Sequence, residues 1–203
     1  MFVQIIQGGL AADRAELKEA LDRWERELES SAEGWLGTTA GVTDDGTFIG
    51  IVRFASVEAA RRNSERPEQH RWWTETSKLF RGEVTFHDCT DVDLMMDGGS
   101  DDAGFVQVIQ GRIRDLEGLR AYLRDMDEQA LRGFRPDIIG SITAYHADGG
   151  FTEAAYFTSE AEAREGERSQ PPQEMRDEMD KMMAFYEGEW TYLDLREPWL
   201  SSP

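Results

Sequence analysis

Three histidines, His70, His87 and His146, and one cysteine, Cys89, are the side chains that could serve as general base, nucleophile or haem ligand. No two of the histidines stand at i,i+4 and Cys89 has no second cysteine near it, so the usual zinc spacings are missing and no metal is expected. His87 and Cys89 alternate along a strand-like run and would share one face, but no third group completes a nucleophilic set. His87 is the best placed of the three histidines, on the opposite strand face from Phe86 and Asp88. The chain has no P-loop, no GxGxxG between a strand and a helix, and no GxSxG. Nucleotide-phosphate and α/β-hydrolase chemistry are therefore excluded, and no cofactor is read from the residues. What remains is the chemistry of a binding pocket: indole rings at Trp72 and Trp73, an imidazole at His70, and an amide at Gln4 (with its counterpart Gln107) inside otherwise apolar runs.

Those candidates sit in an acidic chain. Twenty-two basic against 41 acidic residues give a net charge of −19, which repels a phosphate backbone and argues against nucleic acid as partner. No apolar run nears the roughly 18 residues of a membrane span. The first residues, Met-Phe-Val-Gln, carry neither a basic nor an apolar leader. With a single cysteine this reads as a cytoplasmic protein without membrane attachment.

The elements that position the candidates come in duplicate. FVQIIQG at 2–8 returns as FVQVIQG at 105–111, six of seven residues matching at an offset of 103. Gly37, Gly46, Phe48, Phe54, Ser56 and Arg61 find Gly140, Gly149, Phe151, Phe157, Ser159 and Arg164 at the same offset. RGEVTFHD (81–88) lies over EGEWTYLD (187–194) at an offset of 106. The period is too long for a solenoid unit. It marks a duplicated domain: residues 1–96, an acidic Gly-rich linker 97–104, and residues 105–203.

Each copy opens with a β-branched run, read as a strand. In the first copy Asp13 then caps a helix with Leu17, Leu21, Trp24 and Leu28 on one stripe. In the second the stripe is Leu119, Leu123, Met126 and Ala130. Two strands follow, joined through Asp44-Asp45-Gly46 or Asp148-Gly149-Gly150. Ser56 and Ser159 cap a second helix, with Glu162 completing a capping box; Pro67 and Pro171-Pro172 break or restart it, and a last strand closes the unit. The order β-α-β-β-α-β is the ferredoxin-like split βαβ arrangement, an α+β fold. Val3 and Ile5 on one face of the first strand, with Phe2 and Ile6 on the other, predict a sheet buried on both sides, most simply by the sheet of the other copy.

In element order, duplication and strand pattern the chain resembles the dimeric α+β barrel superfamily, specifically a tandem-duplicated form of its antibiotic-biosynthesis-monooxygenase-like branch. The resemblance implies two ferredoxin-like repeats closed sheet to sheet into one intramolecular pseudo-dimeric barrel, a monomer or weak homo-oligomer. That superfamily holds cofactor-independent monooxygenases of aromatic polyketides, haem-degrading enzymes and members without known activity. In such relatives a Trp on the second helix helps form the pocket, beside an Asn and further polar groups. Here Asn63 precedes Trp72 by nine residues, which departs from the short spacing of the family pattern, and no His follows Trp72 by about two to three turns.

Comparison of the copies sharpens the site. Trp73, Thr76 and Phe80 lie over Met179, Met182 and Tyr186, which reads as a core stripe. Trp72 and His70 lie over Glu178 and Arg176, positions that are polar in the second copy. Trp72 then has no core duty and lines either a pocket or the surface. Gln4 and Gln107 read as a structural pair bonded across the pseudo-twofold, or as amides that orient a ligand. The site expected is a pocket in the first repeat made of Gln4, His70, Trp72, Trp73 and His87, for a small hydrophobic or aromatic ligand. The function expected is small-molecule binding or cofactor-independent oxygenation of an aromatic, polyketide-type substrate. The alternatives are a non-catalytic domain with a decayed site and, further off, haem binding or degradation.

Overall fold

The structure, a computed structural model, describes residues 1–124 and 128–203. Met126 and the side chain of Ala130, both assigned to the second helical stripe, lie outside the described residues. In the first repeat the chain forms β1 (Phe2–Leu10), α1 (Arg14–Glu27), β2 (Trp35–Val42), β3 (Thr47–Phe54), α2 (Val57–Ser64), α3 (Pro67–Thr76) and β4 (Phe80–Cys89). A short strand β5 (Asp91–Met95) follows. The second repeat forms β6 (Phe105–Ile113), α4 (Leu116–Arg124), α5 (Glu128–Phe134), β7 (Ile138–Tyr145), β8 (Gly150–Phe157), α6 (Glu160–Arg168), α7 (Gln173–Met183) and β9 (Tyr186–Leu195), and the chain closes with β10 (Trp199–Ser201). Both repeats carry the split βαβ order in an α+β fold. Among the described residues no helix is long and apolar enough to cross a membrane.

Local chemistry explains the boundaries. Asp13 Oδ1 accepts from the Ala15 amide at 2.8 Å and starts α1. Ser56 and Ser159 accept from the Ala59 and Glu162 amides at 3.2 Å each. The Glu162 carboxylate accepts from the Ser159 hydroxyl at 3.0 Å, so it supports the cap through the side chain. Pro67 sits in the first turn of α3, and Pro172 precedes the first turn of α7. These prolines split the second helix of each repeat in two. At the hairpin turns Gly46 and Gly149 hold φ of 83° and 86°, and Asp45 and Asp148 accept the amides of Thr47 and Gly150 at 3.0 Å.

The first sheet runs β10-β2-β3-β1-β4 and the second β5-β7-β8-β6-β9. Paired strands are antiparallel, with Gln4 opposite Val52 and Asp88, and Gln107 opposite Ala155 and Asp194. The compact units are Met1–Val92 with Glu197–Pro203, and Asp93–Arg196. A division made from the repeat alone leaves the tail with the second copy, whereas Trp199–Ser201 pairs with Thr38–Ala40 and extends the first sheet. The segment 97–104, read as a linker, packs against the second unit. The Gly104 amide donates to Phe157 O at 3.0 Å, Met96 is buried, and the Gly98 carbonyl lies against Gly140, where it leaves no room for a Cβ.

The first sheet has buried side chains on both faces. Val3, Ile5, Ile49 and Ile51 on one side of the first sheet are fully buried. On the other side, toward the helices, Phe2, Trp24, Leu28, Trp35 and Phe54 form one apolar cluster, and Leu10, Leu17, Val42, Phe48 and Phe80 form another. Gln4 and Ile6 lie between the two clusters on that helix-side face, and so does the site.

Candidate functional site

A cavity of about 110 Å³ opens in the first unit between the sheet and the helices α1, α2 and α3. Its floor is Gln4 and Ile6 of β1, Ala40 of β2, and Phe48, Gly50 and Val52 of β3. Helix α1 contributes Leu17, Lys18, Leu21, Trp24 and Glu25, the positions that share one face at helical spacing. Helices α2 and α3 contribute Asn63, Gln69, Trp72, Trp73 and Thr76, and the tail contributes Trp199. Trp199 is held where Arg14 lies 5.4 Å over its ring and donates to Glu197 O at 2.9 Å. Gly50 matters by what it lacks: a Cβ there would stand 3.1 Å from the Phe48 ring and point into this floor.

The structure brings Gln4, Trp72 and Trp73 to the cavity wall. His70 lies exposed on α3 and is not part of the lining. His87 is half-buried on β4 opposite Ile5, so it faces away from the helix side and from the cavity. Trp72 has more structural duty than its polar counterpart suggested. Its Nε1 donates to Ala20 O at 2.8 Å and its ring packs on the cluster around Trp24. Trp73 stacks on Phe80 and edge-on to Phe86, with ring centres 6.3 and 5.4 Å apart. Gln4 and Gln107 each bond within their own sheet. Gln4 Nε2 donates to Asp88 at 2.8 Å and Gln107 Nε2 to Asp194 at 3.0 Å, because the register sets each pair side by side on neighbouring strands.

Two amides outside the expected set of site residues, Asn63 and Gln69, define the polar end of the cavity. Trp24 Nε1 donates to Gln69 Oε1 at 2.6 Å, and Arg66 donates to Asn63 Oδ1 at 2.8 Å. Indole and guanidinium can only donate, so both amide oxygens are fixed against them. Each amide is left with its N–H₂ group to offer elsewhere. Both residues line the cavity, Asn63 is buried, and Arg66 itself is anchored on Leu28 O and Ser31 Oγ. This end therefore presents donors. It can take a carbonyl, hydroxyl or phenolate oxygen, while the indole and phenyl walls strip water from an attached ring. Of the two charged lining residues, Lys18 is ion-paired with Asp22, and Glu25 bears no such pair among the described residues.

The second repeat carries different side chains at the corresponding positions. Glu153 stands opposite Ile109 where Gly50 stands opposite Ile6. Its carboxyl is pushed above the usual carboxylate range by burial, opposed in part by a hydrogen bond with Ser141. Arg164 lies 5.1 Å over the Phe105 ring and pairs with Asp194. Its counterpart Arg61 turns outward to Glu65, 3.3 Å away, with both groups exposed. Arg135 lies 5.8 Å over Phe157 and pairs with Asp137 at 2.7 Å; its Nε is 2.3 Å from where a Cβ on Gly166, the counterpart of Asn63, would be. Met182 replaces Thr76 and Met179 replaces Trp73. Among the described residues no group of three His, Cys, Asp or Glu is arranged to hold a metal ion.

No protein-family model matches the sequence, and no curated protein matches it. Solved structures do match in shape. A candidate monooxygenase from Fusobacterium nucleatum, 9% identical, aligns over 99% of this chain and 94% of its own with a TM-score of 0.73. A candidate monooxygenase from Lactobacillus acidophilus, 12% identical, aligns over 99% of both chains with a TM-score of 0.68. An anthrone oxidase-like protein, 11% identical, aligns over 99% of this chain and 92% of its own with a TM-score of 0.65. At such identities the likeness is one of fold. The chain is thus a tandem ferredoxin-like α+β protein with the fold of monooxygenase-type structures, with a cavity in its first repeat.

Proposed function

We propose that the first repeat binds a small oxygen-bearing aromatic molecule and that the chain is a cofactor-independent oxygenase of an aromatic, polyketide-type substrate. The observation that carries this reading is the cavity: apolar and aromatic on its walls, with the donor amides of Asn63 and Gln69 at one end. An apolar cavity of about 150 Å³ takes up benzene, so about 110 Å³ encloses roughly one ring and leaves any further rings in the mouth. Two N–H₂ donors on a substrate oxygen favour its anionic form, and an electron-rich anion is the species that reacts directly with oxygen. For anthrone the balance is anthrone plus O₂ giving anthraquinone and water, with both electron pairs supplied by the substrate. The fold likeness to an anthrone oxidase-like protein supports the choice of that probe.

The placement of His70 and His87 outside the cavity favours a second reading, a binding protein without turnover. One experiment separates the two. Anthrone is titrated anaerobically against the tryptophan fluorescence of Trp24, Trp72, Trp73 and Trp199, and oxygen is then admitted. Saturable quenching followed by oxygen uptake above the uncatalysed rate supports the oxygenase. Quenching without accelerated uptake supports the binding protein. Neither signal overturns both.

A further inference from the structure

Beside β2 the wall of the cavity is the tail, Glu197–Pro203, which puts Trp199 and Ser201 into the lining. Its hold on the sheet is slight. Trp199–Ser201 pairs with Thr38–Ala40 over three residues, whereas β2 pairs with β3 from Trp35 to Val42. Every residue of the tail is half-buried or exposed. The other elements around the cavity each bury a lining residue, such as Leu17 of α1, Ala40 of β2, Phe48 of β3, Asn63 of α2 and Thr76 of α3. A short ladder with little buried apolar surface opens locally at small cost. The tail is therefore the wall that gives way first.

One side chain holds it shut. The Arg14 guanidinium lies 5.4 Å over the Trp199 ring, donates to Glu197 O at 2.9 Å and stands 3.4 Å from the Glu197 carboxylate. Arg14 is the first residue of α1, where a positive charge opposes the helix dipole. The helix gains nothing from a cation there, whereas the tail does. The residue before the tail, Arg196, pairs with Glu160 at 3.0 Å, so the segment able to swing starts at Glu197. Trp199 packs on the cluster of Leu17, Ala40 and Phe48, and its removal lays the cavity open along β2.

We infer that the tail is a strap that opens to admit the ligand and closes over it, with Arg14 as its latch. A bound ring adds contacts to the closed tail alone, through the Trp199 indole, and so favours closure. Arg14 touches the closed tail whether or not the cavity is filled. It therefore governs the rates of entry and exit and leaves the affinity alone. This inference rests on the reading that the cavity binds an aromatic molecule.

The test mixes 1-naphthol with protein by stopped flow and follows the quenching of tryptophan fluorescence. Wild type, Arg14→Met and the double variant Thr39→Cys, Leu200→Cys are compared, the last both reduced and oxidised. Leu200 stands opposite Thr39, and facing residues of antiparallel strands meet the Cα separation a disulfide needs. Thr38 and Ala40 line the cavity, so Thr39 between them lies on the other face of the sheet and the crosslink stays out of the way. The natural cysteine, Cys89, is buried. Arg14→Met is expected to speed association and dissociation alike by about fivefold, the worth of one exposed cation–π contact, with the affinity kept to within about twofold. Oxidation of the double variant slows association by about tenfold or more, and dithiothreitol restores it. If Arg14→Met leaves association unchanged, or if the oxidised protein takes up 1-naphthol as fast as the reduced one, the inference is overturned while the cavity stands. If wild type does not bind 1-naphthol, the reading of the cavity falls and the inference with it.

Discussion

Replacing Trp24 by Phe probes the hydrogen bond on which the donor end of the cavity depends. Trp24 is 8% exposed and edge-on to Trp35, with ring centres 5.3 Å apart. Phenylalanine keeps a ring there but removes the indole N–H, leaving Gln69 Oε1 unbonded in a half-buried place. The lost volume costs about 1 kcal/mol, and the stranded oxygen about 1–2 kcal/mol. A total of about 2–3 kcal/mol corresponds to a fall of roughly 8 °C in melting temperature for a chain of this size. Gln69→Leu strands the indole instead, at about 1–3 kcal/mol. In the double variant neither partner remains to be stranded, so its loss is smaller than the sum of the single losses by the two stranding costs together, about 2–5 kcal/mol. Urea unfolding of the four proteins at one pH measures that coupling. In Trp24→Phe the Gln69 amide is also free to turn, so affinity for p-cresol falls several-fold. Additivity of the two single losses to within about 0.3 kcal/mol refutes the reasoning, because Trp24 then does not set the orientation of Gln69.

Other perturbations follow from the same structure. Glu153→Gln is expected to stabilise the protein, by an amount that grows with pH. Burial raises the folded-state pKa of this carboxyl above its unfolded value, so the wild type loses stability as pH climbs from the unfolded pKa toward the folded one. Urea midpoints of the two proteins therefore converge near pH 4 and separate at pH 7.5, and a gap independent of pH contradicts the burial of the charge. Ser56→Ala removes the cap of α2 and costs about 1 kcal/mol, roughly 3 °C in a thermal melt; an unchanged melt contradicts the cap. Gly50→Leu drives a side chain from the sheet into the cavity past the Phe48 ring, so ligand quenching is lost while the far-ultraviolet dichroism is kept.

Much of the fold was legible because the copies corroborate each other. FVQIIQG and FVQVIQG mark β1 and β6, the Gly46 and Gly149 turns mark the hairpins, and Ser56 and Ser159 cap α2 and α6. The strands β5 and β10 were not legible. Five and three residues carry too little periodicity to declare a strand, and their partners β7 and β2 are distant in sequence. Trp72 and Trp73 stood out by comparison with Glu178 and Met179, but Asn63, Gln69 and Thr76 did not. Asn63 departs from the family spacing, and Thr76 reads as one more position of a core stripe. Their value comes from what their polar atoms bond, and a stripe of residue types does not show it. The same comparison held a usable signal: Asn63 over Gly166 and Thr76 over Met182 are polar side chains that the second repeat does without.

The most direct measurement is calorimetric titration of 1-naphthol into wild type and Gly50→Leu. A cavity in the first repeat whose floor includes Gly50, with Glu153 in place of that glycine in the second repeat, predicts one ligand per chain for the wild type and none for the variant. Two ligands per chain, or binding unaffected by Gly50→Leu, contradicts it.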